Sequence, residues 1–183
     1  MRVVAGEYRG IPLLTLKGDL TRPTSDKIKA SFFQMVGPFF EGGRMLDAFS
    51  GSGAMAIEAL SRGMDEAILV EKNPAACQVI ESNLKKVKTR KGRLYRGDVR
   101  HLWTQLPGRF NLIYLDPPYR IADISGDLAA IRQANILKKE ALVCYELASD
   151  RSVPDKVEGY ELVIIKDYKA TRIAFYRVNQ EKA

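Results

Sequence analysis

A chain of 183 residues is long enough for one domain with a full core, and its 46% apolar and 28% charged residues are the balance of a folded globular protein. The net charge of +7 points to a polyanionic partner, because basic surface attracts phosphate whatever the sequence that carries it. Cys77 and Cys144 form no C-x-x-C pair and His101 is the sole histidine, which argues against a zinc site, so no metal is expected. Met1-Arg2-Val3-Val4 runs straight into a polar turn with no signal peptide or transmembrane run, and a cytoplasmic location is expected.

In chain order, residues 1 to about 16 read as two short strands around Gly6-Glu7-Tyr8-Arg9-Gly10, a hairpin extension occupying residues 1–20 ahead of a main domain at 21–183. Thr24 or Ser25 can cap a helix that runs through Phe32, Phe33 and Val36 and stops at Gly37-Pro38. Strand and helix signals then alternate, with strands near 45–49, 66–70, 92–96, 110–115 and 141–147. Such alternation predicts right-handed βαβ crossovers and an α/β fold, a mostly parallel sheet with helices on both faces. Tyr160–Tyr168 and Arg172–Val178 break the rhythm. Two strands so close in sequence must pair antiparallel, which closes the sheet with an antiparallel C-terminal strand. His101 and Trp103 fall on a helix predicted after Asp98, the histidine at the surface and the tryptophan in the core. Both cysteines read as buried packing residues, and Glu181–Ala183 as a frayed tail.

Chemistry-bearing residues recur where strands end. The strand at 45–49 runs into Ser50-Gly51-Ser52-Gly53 and then a helix, a turn whose backbone amides can approach a ligand closely. The next strand ends in Glu71, where an acid can bond ribose hydroxyls, and a third ends in Gly97-Asp98-Val99. The apolar run Phe110–Leu115 ends in Asp116-Pro117-Pro118-Tyr119. Two prolines cannot continue a ladder, so the chain leaves the sheet stiffly. A carboxylate and a ring held together there suit an exocyclic amino group on a flat base: the acid accepts its N–H groups and the ring stacks on the base.

These residues resemble a class I S-adenosylmethionine-dependent methyltransferase, with its Rossmann-like sheet. More closely, RVVAGEYRGIPLLTL, LTRPTSDKIKASFFQMV, LDAFSGSGAMAIEALSRG and DPPY resemble the bacterial RsmD family, which methylates the N2 of a guanine in small-subunit (16S) rRNA. The resemblance runs nearly end to end. It departs at Glu7, on a face expected to meet RNA, and at Asp167–Thr171, which lacks the glycine often found after that tyrosine.

The resemblance implies S-adenosylmethionine as cofactor and 16S rRNA, in the small subunit or its assembly intermediate, as partner of a monomer. The Asp116 carboxylate and the Pro117 carbonyl are then expected to hold the target amine and Tyr119 to stack on the extruded base. Ser50, Gly51 and Gly53 would line the methionine moiety, Glu71 the ribose, and Asp98 with the Val99 amide the adenine. Asp47, inside a buried strand, would order the glycine turn or meet the cofactor's ammonium. Arg22 and Thr24 would approach RNA, as would Arg2, Arg9 and Tyr8 if the hairpin projects, with residues 1–16 supplying RNA contacts and no part of the core. A second basic stretch, Lys85 to Arg96, lies between a helix end and a strand. The same clamp fits adenine N6 or cytosine N4 of DNA or RNA. A dehydrogenase would need a G-x-G-x-x-G turn that is missing. A non-enzymatic RNA-binding module would need neither Glu71 nor the Asp-Pro-Pro-Tyr segment.

Overall fold

The computed structural model describes residues 1–17 and 24–179, so Arg22 and the 181–183 tail lie outside the described residues. The chain forms two compact units, Met1–Val99 and Arg100–Ala183.

The first unit is a parallel βαβαβ series. Helix α1 (Asp26–Val36) is capped by Ser25, not Thr24: the Ser25 hydroxyl accepts from the Ile28 amide at 3.2 Å. Strand β1 (Arg44–Asp47), helix α2 (Ala54–Ser61), strand β2 (Glu66–Glu71), helix α3 (Pro74–Lys86) and strand β3 (Gly92–Arg96) follow. Strand β2 pairs parallel with β1 on one side and β3 on the other. Its run Ala67–Val70 is fully buried, as an apolar strand covered on both faces must be. Helix α2 is buried along its whole length, mostly apolar but carrying the buried polar residues Glu58 and Ser61. Helix α3 starts at Asn73, whose side chain accepts from the Ala75 and Ala76 amides, with Pro74 at its first position.

The N-terminal segment corrects one expectation. It is a hairpin, with the Val3 amide bonding Ile11 O at 3.0 Å and the Leu13 amide bonding Met1 O at 2.8 Å, but it lies against the first unit. Val3, Tyr8 and Leu13 are buried, so Tyr8 is a core residue and unavailable to grip RNA. The reason is Glu58 of α2, whose buried carboxylate accepts from the Val4 and Ala5 amides at 2.9 and 3.0 Å. Arg62 Nε donates to the same group at 2.9 Å, and the fully buried Lys29 ammonium sits 3.4 Å from it while donating to Arg2 O at 2.8 Å. Ser61 completes the seam, its carbonyl accepting from Glu7 and its hydroxyl from the Tyr8 amide. Gly6 crosses that seam at φ +88, where a Cβ would lie 1.9 Å from Ser61 O, so only glycine fits.

The second unit opens with short 3₁₀ turns, Trp103–Gln105 among them, where an α-helix was expected; Trp103 is buried and His101 exposed. Strand β4 (Phe110–Leu115) pairs parallel with β5 (Leu137–Ala148) after helix α4 (Ile124–Gln133). Strand β5 starts earlier than its apolar run suggests and is interrupted at Glu140, which takes φ 61. Strand β8 (Thr171–Val178) pairs antiparallel with β7 (Tyr160–Asp167), as expected, and with β5 on its other side, and a two-residue strand β6 (Lys156–Val157) pairs antiparallel with β7.

The hairpin's contacts yield a stability prediction. Glu58→Ala strands the buried Lys29 charge and two backbone amides, and should cost about 3–5 kcal/mol in a denaturant titration. Removing residues 1–16 should likewise destabilise the protein, because it uncovers the Glu58 carboxylate. A truncated protein with an unchanged midpoint would refute the docked hairpin.

Candidate active site

Three loops of the first unit converge at the carboxyl ends of β1, β2 and β3. The Ser50 amide donates to Val70 O at 3.0 Å and the Gly97 amide to Glu71 O at 3.0 Å, so the ends are tied through backbone. Glu71 adds a side-chain tie. One carboxylate oxygen accepts the Gly51 amide at 2.8 Å, and the other accepts the Lys72 and Asn73 amides, each at 2.9 Å. Asp98 is half-buried beside this junction in sequence, and Val99 is buried at the start of a 3₁₀ turn.

The glycine turn is built around left-handed backbone. Gly53 (φ 80) is the residue before α2, and its amide closes the turn onto Ser50 O at 2.8 Å. Ser50 is buried and donates its hydroxyl to Asp47 O at 2.7 Å. At Gly51 (φ +56) a Cβ would meet nothing within 4 Å, so this turn borders open space. Asp47 ends β1 beneath it, and neither carboxylate oxygen makes a hydrogen bond. Burial pushes its carboxyl up to about 7; the nearby Ala56 amide and Ser50 hydroxyl oppose the rise and the Glu71 charge adds to it. An orphaned buried acid under an open glycine turn, at the start of a helix and beside a ribose-competent carboxylate, fits a nucleoside-bearing, cationic cofactor such as S-adenosylmethionine.

One residue of this cradle was missed from sequence. Asn83, fully buried on α3, donates to Ser52 O at 2.9 Å and to Leu14 O at 3.0 Å, and accepts from the Leu14 amide at 2.8 Å. It staples the glycine turn and the N-terminal segment to one helix. A lone asparagine in a charged stretch gives no signal of that role.

The second unit contains the Asp-Pro-Pro-Tyr segment. Asp116 is half-buried at the end of β4, Pro117 is buried, and Tyr119 is 41% exposed, so its ring has a face open to solvent. A 3₁₀ turn, Tyr119–Ile121, follows; two arginines bond it directly and Tyr145 holds the residues just after it. Arg151 donates to Tyr119 O at 3.1 Å, and Arg100 donates to Ile121 O at 2.7 Å while gripping both Asp127 oxygens at 2.8 Å. The Tyr145 hydroxyl donates to Asp127 at 2.8 Å and accepts the Asp123 amide at 2.9 Å. Two residues before Asp116, the Tyr114 hydroxyl bonds the buried Glu146 of β5. Burial raises the Glu146 carboxyl and Tyr114 opposes the rise. None of these supports was legible in sequence, because each partner lies on a different element.

Of the residues expected to meet RNA, Arg2 and Arg9 are exposed and Thr24 is half-buried. Arg2 is held through its backbone, the amide to Asp26 at 3.3 Å and the carbonyl to Lys29, which leaves the guanidinium outward. Among the described residues no group of three or more His, Cys, Asp or Glu could hold a metal ion, and no helix is long and apolar enough to cross a membrane.

The glycine turn, the acid ending the next strand and the parallel sheet with antiparallel C-terminal strands define a Rossmann-like α/β fold of the methyltransferase class. Residues 1–177 match the family described as conserved hypothetical protein 95. The chain is 36% identical over 181 residues to YlbH of Bacillus subtilis, a candidate rRNA methyltransferase, covering 97% of this chain and 98% of that protein. It is 28% identical over 183 residues to the ribosomal RNA small subunit methyltransferase D of Escherichia coli K12, covering 100% and 91%. The solved structure of a candidate Escherichia coli methyltransferase, yhhF, superimposes with a TM-score of 0.86 at 25% identity over 98% of both chains. The chain belongs to this family, the RsmD family of methyltransferases.

Asp47 yields a prediction on pH. Its native carboxyl holds a proton to about pH 7, whereas the unfolded chain releases it near 3.8. The folded state therefore binds more protons across that window, and stability falls as pH rises through it, by on the order of 4 kcal/mol at most. Asp47→Asn should flatten this part of the profile, as read from urea midpoints between pH 4 and 8. Equal slopes for both proteins would remove the buried acid from the account.

Proposed function

We propose that this protein transfers a methyl group to the exocyclic N2 of a guanine in small-subunit rRNA, acting as a cytoplasmic monomer on the 16S rRNA of the subunit or an assembly intermediate. The observation that carries the reading is the end of β4: a half-buried carboxylate and an exposed ring, joined by two prolines on a pinned turn. The family relationship supports rRNA as the substrate class.

S-adenosylmethionine, when bound, supplies a methyl group on a sulfonium, an electrophile that needs neither a metal nor a covalent enzyme intermediate. Ser50, Gly51 and Gly53 line the amino-acid portion, Asp47 faces the ammonium, Glu71 takes the ribose hydroxyls, and Asp98 and Val99 take the adenine. Asp116 and the Pro117 carbonyl accept the two amine hydrogens, which directs the nitrogen lone pair and holds the reactants close. The carboxylate also offsets the positive charge that develops on a weakly basic amine. Tyr119 stacks on the base once it has left its neighbours, a contact worth roughly 1–3 kcal/mol. Arg2, Arg9, Arg22 and Thr24 are assigned to RNA contact.

The test incubates the protein with methyl-labelled S-adenosylmethionine and assembled small subunits, naked rRNA or DNA, then digests the product to nucleosides. Label should appear in N2-methylguanosine from an rRNA substrate. Asp116→Ala should lose nearly all turnover with an unchanged dissociation constant for the cofactor, since its contact is to the amine. Label in N6-methyladenine or N4-methylcytosine would overturn the guanine assignment, and near-normal turnover of the variant would remove Asp116 from the mechanism.

A further inference from the structure

The end of α3 is a rigid turn loaded with cations. Lys85, Lys86, Lys88, Arg90 and Lys91 are all exposed, and among the described residues none of them has an ion pair. Their neighbours differ: Arg93 pairs with Glu66 at 3.2 Å and Arg96 with Glu81 at 2.6 Å, so the acids of this face are already engaged. The five unpaired groups compare with a net charge of +7 for the whole chain. A favourable interaction with the helix dipole accounts for Lys85 and Lys86, in the last turn, but not for the three cations beyond it.

The turn is also closed in a way that costs stability. The Thr89 amide reaches back to Leu84 O at 3.2 Å and the Lys88 amide to Lys85 O at 3.0 Å, a Schellman closure around the cap residue Val87. The residue that must turn left-handed in this closure is Lys88, at φ 55, where glycine is usual and a side chain is strained. Beyond it, the Lys91 amide is held by the Thr89 hydroxyl at 3.2 Å, and Lys91 O accepts the Ala67 amide at 2.9 Å, which fixes the turn to the start of β2. The side chains of Lys88, Arg90 and Lys91 thus fan from a stiff backbone at β3, which within the first unit pairs only with β2.

We propose that this turn is a docking surface for the phosphate backbone of the substrate rRNA, made by residues other than those that handle the base. The inference rests on the rRNA reading above and adds to it where the RNA is gripped. A row of unpaired, pre-positioned cations suits a polyanion read by charge, and a lysine in a glycine's place is explained by a use for its ammonium.

The test measures binding of fluorescently labelled small-subunit rRNA at several salt concentrations, with cofactor affinity and melting temperature measured alongside. The variant Lys88→Gly, Arg90→Ser, Lys91→Ser should bind about tenfold more weakly at low salt, and the slope of log affinity against log salt should fall by about 2. Its cofactor affinity should match that of the wild type. Lys88→Gly alone should keep or raise the melting temperature while weakening RNA binding, an outcome that loss of folding cannot produce. A control variant, Lys138→Ser, Lys139→Ser, Lys166→Ser, removes the same charge from exposed positions elsewhere and should change the slope by less. Equal slopes for the two triple variants overturn the docking surface and leave the methyltransferase reading standing. A wild-type protein that neither binds nor methylates the rRNA overturns both.

Discussion

The carboxylate of Glu71 is the constraint on which the candidate cofactor site depends. It takes three backbone amides, one from the glycine turn after β1 and two from the start of α3. Charge-assisted bonds of this kind are stronger than neutral ones, and here they add to the Ser50–Val70 backbone bond in setting the spacing of the two loops. The same charge reaches Asp47, where it adds to the effect of burial in keeping a proton on an acid without hydrogen bonds. One acid is thus held by three backbone amides, and the other is buried and unpartnered in the same cradle. A cationic ligand would draw Asp47 back to its charged form, so the cradle is better matched to a positively charged cofactor than to nothing at all.

A second buried carboxylate, Glu58, does for the N-terminal segment what Glu71 does for the glycine turn. It gathers amides from Val4 and Ala5 and sits between the cations Lys29 and Arg62. Asn83 then connects this segment to the cofactor turn, bonding Leu14 through both backbone groups and Ser52 through its carbonyl. The hairpin is therefore part of the scaffold that shapes the cradle, and its exposed Arg2 and Arg9 project from a fixed base.

The fold class was legible because its signals are local. Apolar runs such as Ala67–Val70 and Phe110–Leu115, and punctuation such as Ser50–Gly53 and Pro117-Pro118, determine element type without distant partners. The candidate site residues stood out for the same reason: each stands at or just beyond the end of a strand. What sequence could not reveal were the long-range supports. Nothing local to Glu58, Lys29 or Asn83 marks them out, yet all three are fully buried. Tyr8 read as an exposed turn aromatic because nothing local shows that Ser61 lies above it. The turn after Tyr119 is likewise fixed by Arg100, Asp127 and Tyr145, which no spacing rule connects.

The most direct test of the central claim is a crystal structure of the protein with S-adenosylhomocysteine, the product form of the cofactor. The account predicts the ribose hydroxyls on the Glu71 carboxylate, the adenine against Asp98 and Val99, and the amino-acid end over Gly51 with its ammonium toward Asp47. A ligand bound elsewhere, or a Glu71 carboxylate still facing only backbone amides with the ribose out of reach, would contradict it.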